Sequence, residues 1–429
     1  MTRTGRRFLL LLGVVGPTVA SCAPEPLDRE GVHLEVWAHA GQSDERAVLE
    51  DQARRFNAMH DSIEIELAFI PEGAYNAQVQ ASAVAGRLPD LLDLDGPYVA
   101  QYAWQGHLRP LNDLLPDSTI DGLLPSVVEQ GTWRDRLYAV GTFDSGLGLY
   151  ASRSALRSVN ARIPTSPREA WTAQELTDLL GELRQGDADG AVLDLKLNFE
   201  GEWYAYAFQP VLRSAGGGLL DIRDGRPFAT GILDGPSSLH ALQTLQSWIT
   251  GGFVDPNLDD AAFTDGRVAL SWSGHWDFPR YREAMGDDLV VLPLPDFGRG
   301  SRTGQGSWMW AVPRGGSNEA EVSEFLGFLL RTDEILRMAE ANGAVPGSVR
   351  AADQTERYGP GGPLRLLLEQ LEGGWAVPRP RTPAYPFVSS VFQDVFRAVR
   401  NGEPLRPVVD RAAETIDREV RDNRGYPDS

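Results

Sequence analysis

Tryptophan, tyrosine and phenylalanine side chains occur in three groups along the sequence, and each group has polar neighbours. The groups are Trp203, Tyr204, Tyr206 and Phe208; Trp272, Trp276, Phe278 and Tyr281; and Trp308 with Trp310. An indole ring presents an apolar face and one N–H donor. A pyranose ring presents a face of C–H groups and a rim of hydroxyls, and vicinal hydroxyls suit bidentate carboxylates and guanidiniums. Aromatic rings beside such groups favour a carbohydrate site, for which the candidate stacking residues are Trp203, Trp272, Trp276 and Trp308.

A core position is the alternative for each of these aromatic residues, because tryptophan is highly buried on average in folded proteins. Trp276 is the strongest functional candidate, since Gly274, His275 and Asp277 surround it. A polar segment that contains glycine is more typical of a loop than of a packed helix. We therefore expect Trp276 to lie in a loop where a ligand can reach it.

Motifs that would indicate an enzyme or a cofactor site do not occur in the sequence. The six histidines show no HExxH or other zinc-ligand spacing, and no GxSxG, GxxxxGK[ST] or post-strand GxGxxG motif is present. The sequence therefore predicts no catalytic residue, no metal and no cofactor. Paired carboxylates are plentiful in so acidic a chain, so a carbohydrate hydrolase that uses two acids remains an alternative.

The N-terminal segment has the layout of a secretory signal. Three arginines within the first seven residues precede a short apolar run, and small residues come directly before Cys22, the one cysteine of the chain. This layout resembles a bacterial lipobox, in which cleavage leaves an acylated cysteine at the mature N-terminus. We predict a signal peptide at 1–21, a tether at 22–31 and lipid attachment at Cys22. A plain signal peptide or an anchor helix with an incidental cysteine are the alternatives, although the apolar run is too short to span a membrane.

The charge of the chain limits its partners. The formal net charge is -20, and removal of the arginine-bearing signal would leave the rest more acidic still. Such a surface repels phosphate backbones and anionic lipid. We therefore expect no nucleic-acid partner, and membrane association only through the lipid.

Hydrophobic periodicity predicts an α/β protein with more than one domain. Residues 32–37 and 63–69 alternate as strands, and Leu91 to Leu94 is short and apolar. Helices are expected between them, one capped by Ser43, and further helices are expected downstream, including one long stretch at 320–341. Strands that alternate with helices form a sheet covered on both faces. The length without the signal is large for one core and favours two domains.

Short motifs spread over the chain resemble the extracellular solute-binding proteins of sugar ABC transporters, the family that contains maltose- and trehalose-binding proteins. The motifs are Val36-Trp37, Phe56-Asn57, Ala85-Gly86-Arg87-Leu88-Pro89-Asp90, Gly106-His107-Leu108-Arg109-Pro110-Leu111, Leu137-Tyr138-Ala139-Val140 with Leu149-Tyr150, Phe263 to Ala269 with Gly274 and Trp276, and Ala344-Val345-Pro346. The sequence departs from the family pattern at Gly141, at Ala151-Ser152 and at Leu270, which leaves the identity of the substrate open.

The resemblance implies a type II periplasmic-binding-protein fold with two lobes, each a β-sheet flanked by helices, and several crossings between them. It implies a first lobe at 32–142 and 306–345 and a second at 143–305 and 346–429. The expected function is to bind a disaccharide or oligosaccharide between the lobes and deliver it to ABC permease subunits. The expected state is a monomer held by lipid outside the cytoplasmic membrane. A non-sugar ligand such as a glycerol phosphodiester is a further alternative, although it would want more cations than the candidate cleft residues supply.

The resemblance also carries ligand-binding roles to particular residues. Asp144 follows the Tyr-Ala motif and Asp95 follows the Pro-Asp motif, at positions where the family binds sugar hydroxyls. The Gly-x-Trp tryptophan matches Trp276, and Trp308 matches a Gly-Gly-Trp-like segment one residue out of pattern. The remaining candidates lie on the first loop and in a late proline-rich turn: Gln42, Glu45, Arg379 and Arg381. For Glu45, a first-turn helix acid is an equal alternative, and the motifs do not decide between the two arginines.

Overall fold

The computed structural model describes residues 31–256 and 259–427, which fold into two sheets flanked by helices and several short ladders between them. Cys22, the predicted signal peptide and all of the predicted tether except Gly31 lie outside the described residues. We refer to the five-stranded sheet and its helices as the first lobe, and to the four-stranded sheet and its helices as the second lobe.

The strands, in chain order, are β1 Val32–His39, β2 Ile63–Ile70, β3 Leu91–Asp95, β4 Thr132–Trp133, β5 Arg136–Leu137, β6 Ala139–Val140, β7 Phe143–Asp144, β8 Leu147–Ser152, β9 Leu193–Asp194, β10 Asp221–Arg223, β11 Arg226–Phe228, β12 Leu270–Gly274, β13 Leu289–Leu292, β14 Thr303–Gln305, β15 Trp308–Ala311, β16 Val345–Pro346 and β17 Ala376–Pro378.

The helices are α1 Ser43–Met59, α2 Glu72–Val84, α3 Val99–Trp104, α4 Asp117–Ile120, α5 Pro125–Gly131, α6 Arg153–Ser158, α7 Ala173–Arg184, α8 Glu202–Ala215, α9 Pro236–Thr250, α10 Phe278–Met285, α11 Glu319–Leu329, α12 Thr332–Asn342, α13 Val349–Ala352, α14 Arg365–Glu372, α15 Tyr385–Arg400 and α16 Leu405–Asp422. Short 3₁₀ turns lie at Gly96–Tyr98, Leu111–Asp113, Pro167–Glu169, His275–Asp277 and Gly286–Asp288.

The sheet of the first lobe has the strand order β2-β1-β3-β15-β6. Strands β2, β1 and β3 are parallel and are joined by α1 and α2, as the alternating sequence pattern predicted. In β1 the alternate residues Leu34, Val36 and Ala38 are buried, which turns the intervening side chains to the other face. Strand β15 returns antiparallel to β3 and places Trp308 opposite Asp95. The end of β3 and the start of β15 therefore lie at the same edge of the sheet.

The sheet of the second lobe has the order β13-β8-β12-β9. Strand β8 runs antiparallel to β12, so that Leu147 at its start pairs with Gly274 at the end of β12. Strand β9 is parallel to β12 and leads through residues 195–201 into α8. Three chain segments, before β8, after β12 and after β9, thus meet at one edge of this sheet.

Two ladders join distant parts of the chain next to the points where it passes from one lobe to the other. Strand β7 pairs with β16, and β14 pairs with β17. Strands of the first sheet occur both before and after those of the second sheet, so the chain crosses between the lobes more than once, as expected. The strands of the first sheet fall within 32–142 and 306–345, and those of the second within 143–305. Buried residues of α14, such as Leu367, pack with the core of the first lobe, so the exact lobe boundaries stay a proposal.

Two local predictions are wrong. The N-cap of α1 is Gln42 and makes no side-chain cap, whereas Ser43 is the first helical residue. The stretch 320–341 is two helices, α11 and α12, which are separated at Leu330 and Arg331. Arg331 has an extended backbone and precedes a new first turn with Asp333 and Glu334. The acidic first turn of α12 therefore begins a new helix, although the apolar periodicity continues from α11 into α12.

Candidate functional site

The edges of the two sheets face one another and carry polar and aromatic side chains. From the first lobe come His39 at the end of β1, Asp95 at the end of β3 and Trp308 at the start of β15. From the second lobe come Trp276 after β12 and Glu202 at the start of α8. Carboxyl ends of parallel strands are where α/β proteins place ligand sites. We call this region the cleft.

Arg379 connects the two lobes through buried ion pairs. Its Nη1 lies 2.7 Å from Asp95 Oδ2 and 2.7 Å from Glu202 Oε1, and its Nη2 contacts Asp95 Oδ1. The arginine is only 6% exposed. Gly306 makes room for it, because a Cβ at that position would lie 2.7 Å from Arg379 Nη2. The guanidinium therefore holds a fixed fork against Asp95, and Asp95 and Arg379, both predicted site residues, are brought together.

Glu202 belongs to this cluster and was missed by the sequence analysis. Its carboxylate accepts hydrogen bonds from the Tyr385 hydroxyl and from Ser389 Oγ in α15, as well as from Arg379. Burial raises the pKa of Glu202, while the Arg379 charge opposes this shift. Glu202 stands directly before the aromatic group 203–208, and only the aromatic rings there were considered in the sequence analysis. Its place in the first turn of α8 was the available signal.

An aromatic wall lines the second-lobe side of the cleft. Half-buried Trp276 lies 6.0 Å from Trp203 and 6.1 Å from Tyr206 between ring centroids. Tyr206 also carries the Arg379 guanidinium at 4.9 Å from its ring, so the wall is continuous with the ion-pair cluster. Gln42 reaches across from the first loop and donates through Nε2 to the Trp276 carbonyl at 2.9 Å. Three predicted residues, Gln42, Trp203 and Trp276, therefore meet here.

Trp308 forms an aromatic surface on the first-lobe side. It is half-buried, and His39 stacks on it with 3.9 Å between ring centroids and a 6° angle between the planes. Glu45, also predicted, lies behind this pair, with Oε1 3.7 Å from His39 Nε2. Burial raises the pKa of Glu45, and the neighbouring His39 counteracts the rise. Glu45 therefore supports Trp308 through His39.

Asp144 lies fully buried where the chain leaves the first lobe. Its Oδ1 accepts from Gln130 Nε2 at 3.0 Å and from the Ser145 backbone N–H at 2.8 Å. Burial raises the pKa of this carboxyl. Beside it, Ser145 Oγ lies 2.9 Å from Nε2 of His275, whose Nδ1 bonds the Asn342 carbonyl. Burial lowers the pKa of His275 to about 4, so this ring is neutral and fixes the backbone next to Trp276.

The structure does not bring two of the predicted residues to the cleft. Trp272 is fully buried in β12 and packs against Phe208 in the second-lobe core, which makes its predicted stacking on a ligand wrong. Arg381 is more than a third exposed and pairs at 2.9 Å with Glu129 on α5, away from the Asp95 cluster. Its long side chain bridges the lobes at the surface instead.

The lobes touch across the cleft. Within the first lobe, a small cavity of about 20 Å³ lies beside His39 and Trp308, which is room for about one water molecule. The contacts between Gln42 and Trp276 and between Asp95 and Arg379 would have to break before a ligand could enter between the lobes. Among the residues that the structure describes, no group of three or more His, Cys, Asp or Glu side chains could hold a metal ion. No helix in the same ranges is long and apolar enough to cross a membrane.

Two α/β lobes with crossing strands and a cleft between facing sheet edges define the type II periplasmic-binding-protein fold. Solved structures of this class are similar over most of the chain. The GacH receptor of Streptomyces glaucescens has a TM-score of 0.77 at 20% identity, and covers 91% of this chain and 98% of its own. Maltose-bound MalE3 of T. maritima has a TM-score of 0.76 at 22% identity, covering 91% and 100%.

The profile of the bacterial extracellular solute-binding proteins matches residues 51–358, and the chain belongs to this family. Among curated relatives, a maltotriose-binding protein of Pyrococcus abyssi is 22% identical over 284 residues, which are 66% of this chain and 56% of the relative. An uncharacterised lipoprotein of Streptomyces antibioticus is 26% identical over 190 residues, which are 44% of this chain and 42% of the relative. The chain thus spans about half the length of the curated relatives it matches.

Proposed function

We propose that the protein binds a neutral disaccharide or oligosaccharide in the cleft and delivers it to the permease subunits of an ABC transporter. The observation that carries this proposal is the contact between the aromatic wall and the ion-pair cluster. Arg379 lies over Tyr206, which adjoins Trp276, while Asp95 is held against the same guanidinium. Stacking rings beside fixed hydrogen-bonding groups match the two surfaces of a pyranose.

The charge of the cluster favours a neutral ligand. Arg379 is surrounded by two carboxylates, those of Asp95 and Glu202. Its positive charge is already compensated, so a phosphodiester would meet no free cation at this position. The similar proteins described above agree in ligand class, since they bind maltotriose, acarbose or maltose.

In this proposal the two lobes open to admit the ligand and close to hold it. Gln42 to Trp276 and Asp95 to Arg379 are contacts between lobes, and both would break when the lobes part. A hinge at the β7–β16 and β14–β17 ladders permits that motion. In this proposal the ligand enters the open form as a monomeric receptor closes around it, and the closed form is presented to the permeases.

Trp276→Ala is expected to weaken saccharide binding at least about 30-fold, the effect of losing a hot-spot aromatic contact. Isothermal titration with trehalose, maltose, maltotriose, xylo-oligosaccharides and cello-oligosaccharides checks this. The half-buried position of Trp276 predicts little loss of stability. Trp133→Ala, in the β4–β5 hairpin outside the cleft, is the matched control and should bind as wild type.

The same titrations separate the alternatives. Heat from a saccharide without new reducing ends supports a binding protein, whereas release of reducing sugar would establish the hydrolase alternative. An absence of heat with every saccharide, together with heat from glycerophosphodiesters, would replace the sugar by the other ligand class.

We propose that Cys22 carries the lipid that holds the receptor at the membrane, as its position after an apolar run and the lipoprotein relative suggest. A tethered receptor gains effective concentration at its transporter. Cys22→Ala is expected to release the protein into the soluble fraction and leave saccharide affinity unchanged. Fractionation of cells with an antibody and titration of the purified variant check both halves, and a variant that stays in the membrane fraction would refute the anchor.

A further inference from the structure

The stacked pair of His39 and Trp308 joins residues from β1 and β15, on either side of β3. The ring centroids are 3.9 Å apart and the planes differ by 6°. Tyr75 of α2 meets the same indole edge-on at 5.2 Å and 82°. His39 is 7% exposed, whereas Trp308 keeps accessible surface. A ligand can therefore touch Trp308 only on the surface that His39 and Tyr75 leave free.

The imidazole is fixed by the strand next to it. Its Nδ1 lies 2.6 Å from Asp93 Oδ2 on β3, and its own backbone N–H donates to Asp93 Oδ1 at 3.1 Å. On the other side, Nε2 faces Glu45 of α1. Gly41 permits this approach, because a Cβ there would lie 2.5 Å from Glu45 Oε2 and 2.9 Å from His39 Nε2.

Carboxylates from three different elements lie near His39. Asp93 of β3, Glu45 of α1 and Glu72 of α2 supply negative charge. Arg46, the cation in the same cavity wall, turns its guanidinium to the Gly41 carbonyl, and Tyr75 is the remaining titratable neighbour. Burial lowers the pKa of His39, but the three carboxylates outweigh it and raise the pKa to about 9. At neutral pH the ring on the indole is therefore an imidazolium.

We propose that His39 is a positioning residue: tethered to Asp93 and stacked on Trp308, it fixes the indole in the orientation in which it meets ligand. A cation over an indole is attracted by the ring quadrupole, and the attraction strengthens when both are desolvated. The hydrogen bonds to Asp93 fix the plane of the imidazole. The imidazole in turn fixes the plane of the indole that stacks on it. The ligand part of this inference rests on the proposed function, whereas the stack itself does not.

Tryptophan fluorescence against pH tests the stack in the protein without ligand. An imidazolium in contact with an indole quenches its emission more strongly than neutral imidazole. The difference between wild type and Trp308→Phe isolates Trp308 from the other tryptophans. We expect this difference emission to be weak at neutral pH and to rise as the pH passes about 9. In the His39→Gln background the rise should disappear. A Trp308 emission that His39→Gln leaves unchanged at every pH, or that depends equally on pH in both backgrounds, would overturn the inference.

A double-mutant cycle tests the effect on ligand. With the saccharide that binds best in the titration panel, His39→Gln should weaken binding about 3- to 30-fold, and much less in the Trp308→Phe background. His60→Gln is the matched control, because His60 also stacks on an aromatic ring, Phe56, beside a carboxylate, Glu324, but at the far end of α1. Equal losses in both backgrounds would overturn the positioning role. If no saccharide binds, the proposed function fails, and the fluorescence step still decides whether His39 orients Trp308.

Discussion

Lys196→Met is expected to lower the free energy of unfolding by about 3–5 kcal/mol, the usual effect of removing one partner from a buried ion pair. Lys196 is the only lysine of the chain and has no exposed side-chain surface. Its Nζ lies 2.9 Å from Asp194 Oδ2 and 2.6 Å from Asp260 Oδ1, and Asp277 Oδ2 is 3.7 Å away. Burial alone lowers a lysine pKa, but these carboxylates raise it, so the group stays charged.

The loss in this variant should depend on pH in a defined direction. Burial raises the pKa of Asp194, and Lys196 opposes that rise. Without the lysine, Asp194 takes up a proton at a higher pH than before. The deficit relative to wild type should therefore be largest at and above neutral pH and should shrink towards about pH 5. Urea titrations of both proteins across this range measure it.

Two further variants separate the buried pair from general damage. Lys196→Met with Asp194→Asn should recover part of the stability, because the second change removes the uncompensated charge. Arg282→Met removes an exposed cation that pairs with Asp287 in the following 3₁₀ turn, and should change stability by at most about 1 kcal/mol. If Lys196→Met lowers the free energy of unfolding no more than Arg282→Met does, the buried cation contributes no more to stability than an exposed one.

The ion pairs of Lys196 with Asp194, Asp260 and Asp277, which we call the lysine network, also connect the core of the second lobe with the cleft. Asp277 follows Trp276 directly, and it is held by Arg280 at 2.6 Å and by the Tyr281 hydroxyl at 3.2 Å. The same aspartate faces Lys196. Loosening the network should therefore loosen the turn His275–Asp277, and saccharide affinity of Lys196→Met should fall together with its stability.

Much of the first lobe could be predicted from the sequence because its elements repeat with clear periods. Strands β1 and β2 alternate, α1 carries an apolar face, and Asp95 ends a short apolar strand. The role of Asp95 as a site residue was implied by the family resemblance and not by this pattern. The position of Trp276 in a short turn could also be predicted from its glycine and polar neighbours, and the structure places it in the turn His275–Asp277.

The positions of the other site residues depend on long-range contacts that no local sequence pattern encodes. Trp272 and Trp276 stand four residues apart in one aromatic group, yet the first points into a core and the second into the cleft. That Trp272 faces the core follows only from its long-range packing against Phe208 of α8. The His39 stack likewise joins strands whose neighbourhood is fixed by the return of β15 beside β3.

Arg379→Met is expected to abolish measurable saccharide binding and also to lower stability by about 3–5 kcal/mol. Asp95 and Glu202 would then face each other across the cleft with no cation between them. The bidentate contact that orients Asp95 would be lost as well, and the lobes would lose an attraction that favours closure. Titration calorimetry and urea denaturation of the same preparation measure the two effects.

Arg381→Met is the matched control, two residues further along the same proline-rich turn. Its partner Glu129 is more than half exposed, so the surface pair contributes at most about 1 kcal/mol, and binding should persist. A larger loss of affinity from Arg381→Met than from Arg379→Met would reverse the assignment of the two arginines, which the sequence alone left open.

A double variant distinguishes the binding role of Arg379 from its structural role. Glu202→Gln added to Arg379→Met removes one of the two carboxylates left without a cation, and should restore part of the lost stability. It does not restore the fork that holds Asp95, so saccharide binding should stay absent. The added change thus relieves the stability loss at Glu202 but leaves the ligand contact at Asp95 missing. If the double variant recovered both stability and saccharide binding, Arg379 would act on ligand only by stabilising the fold.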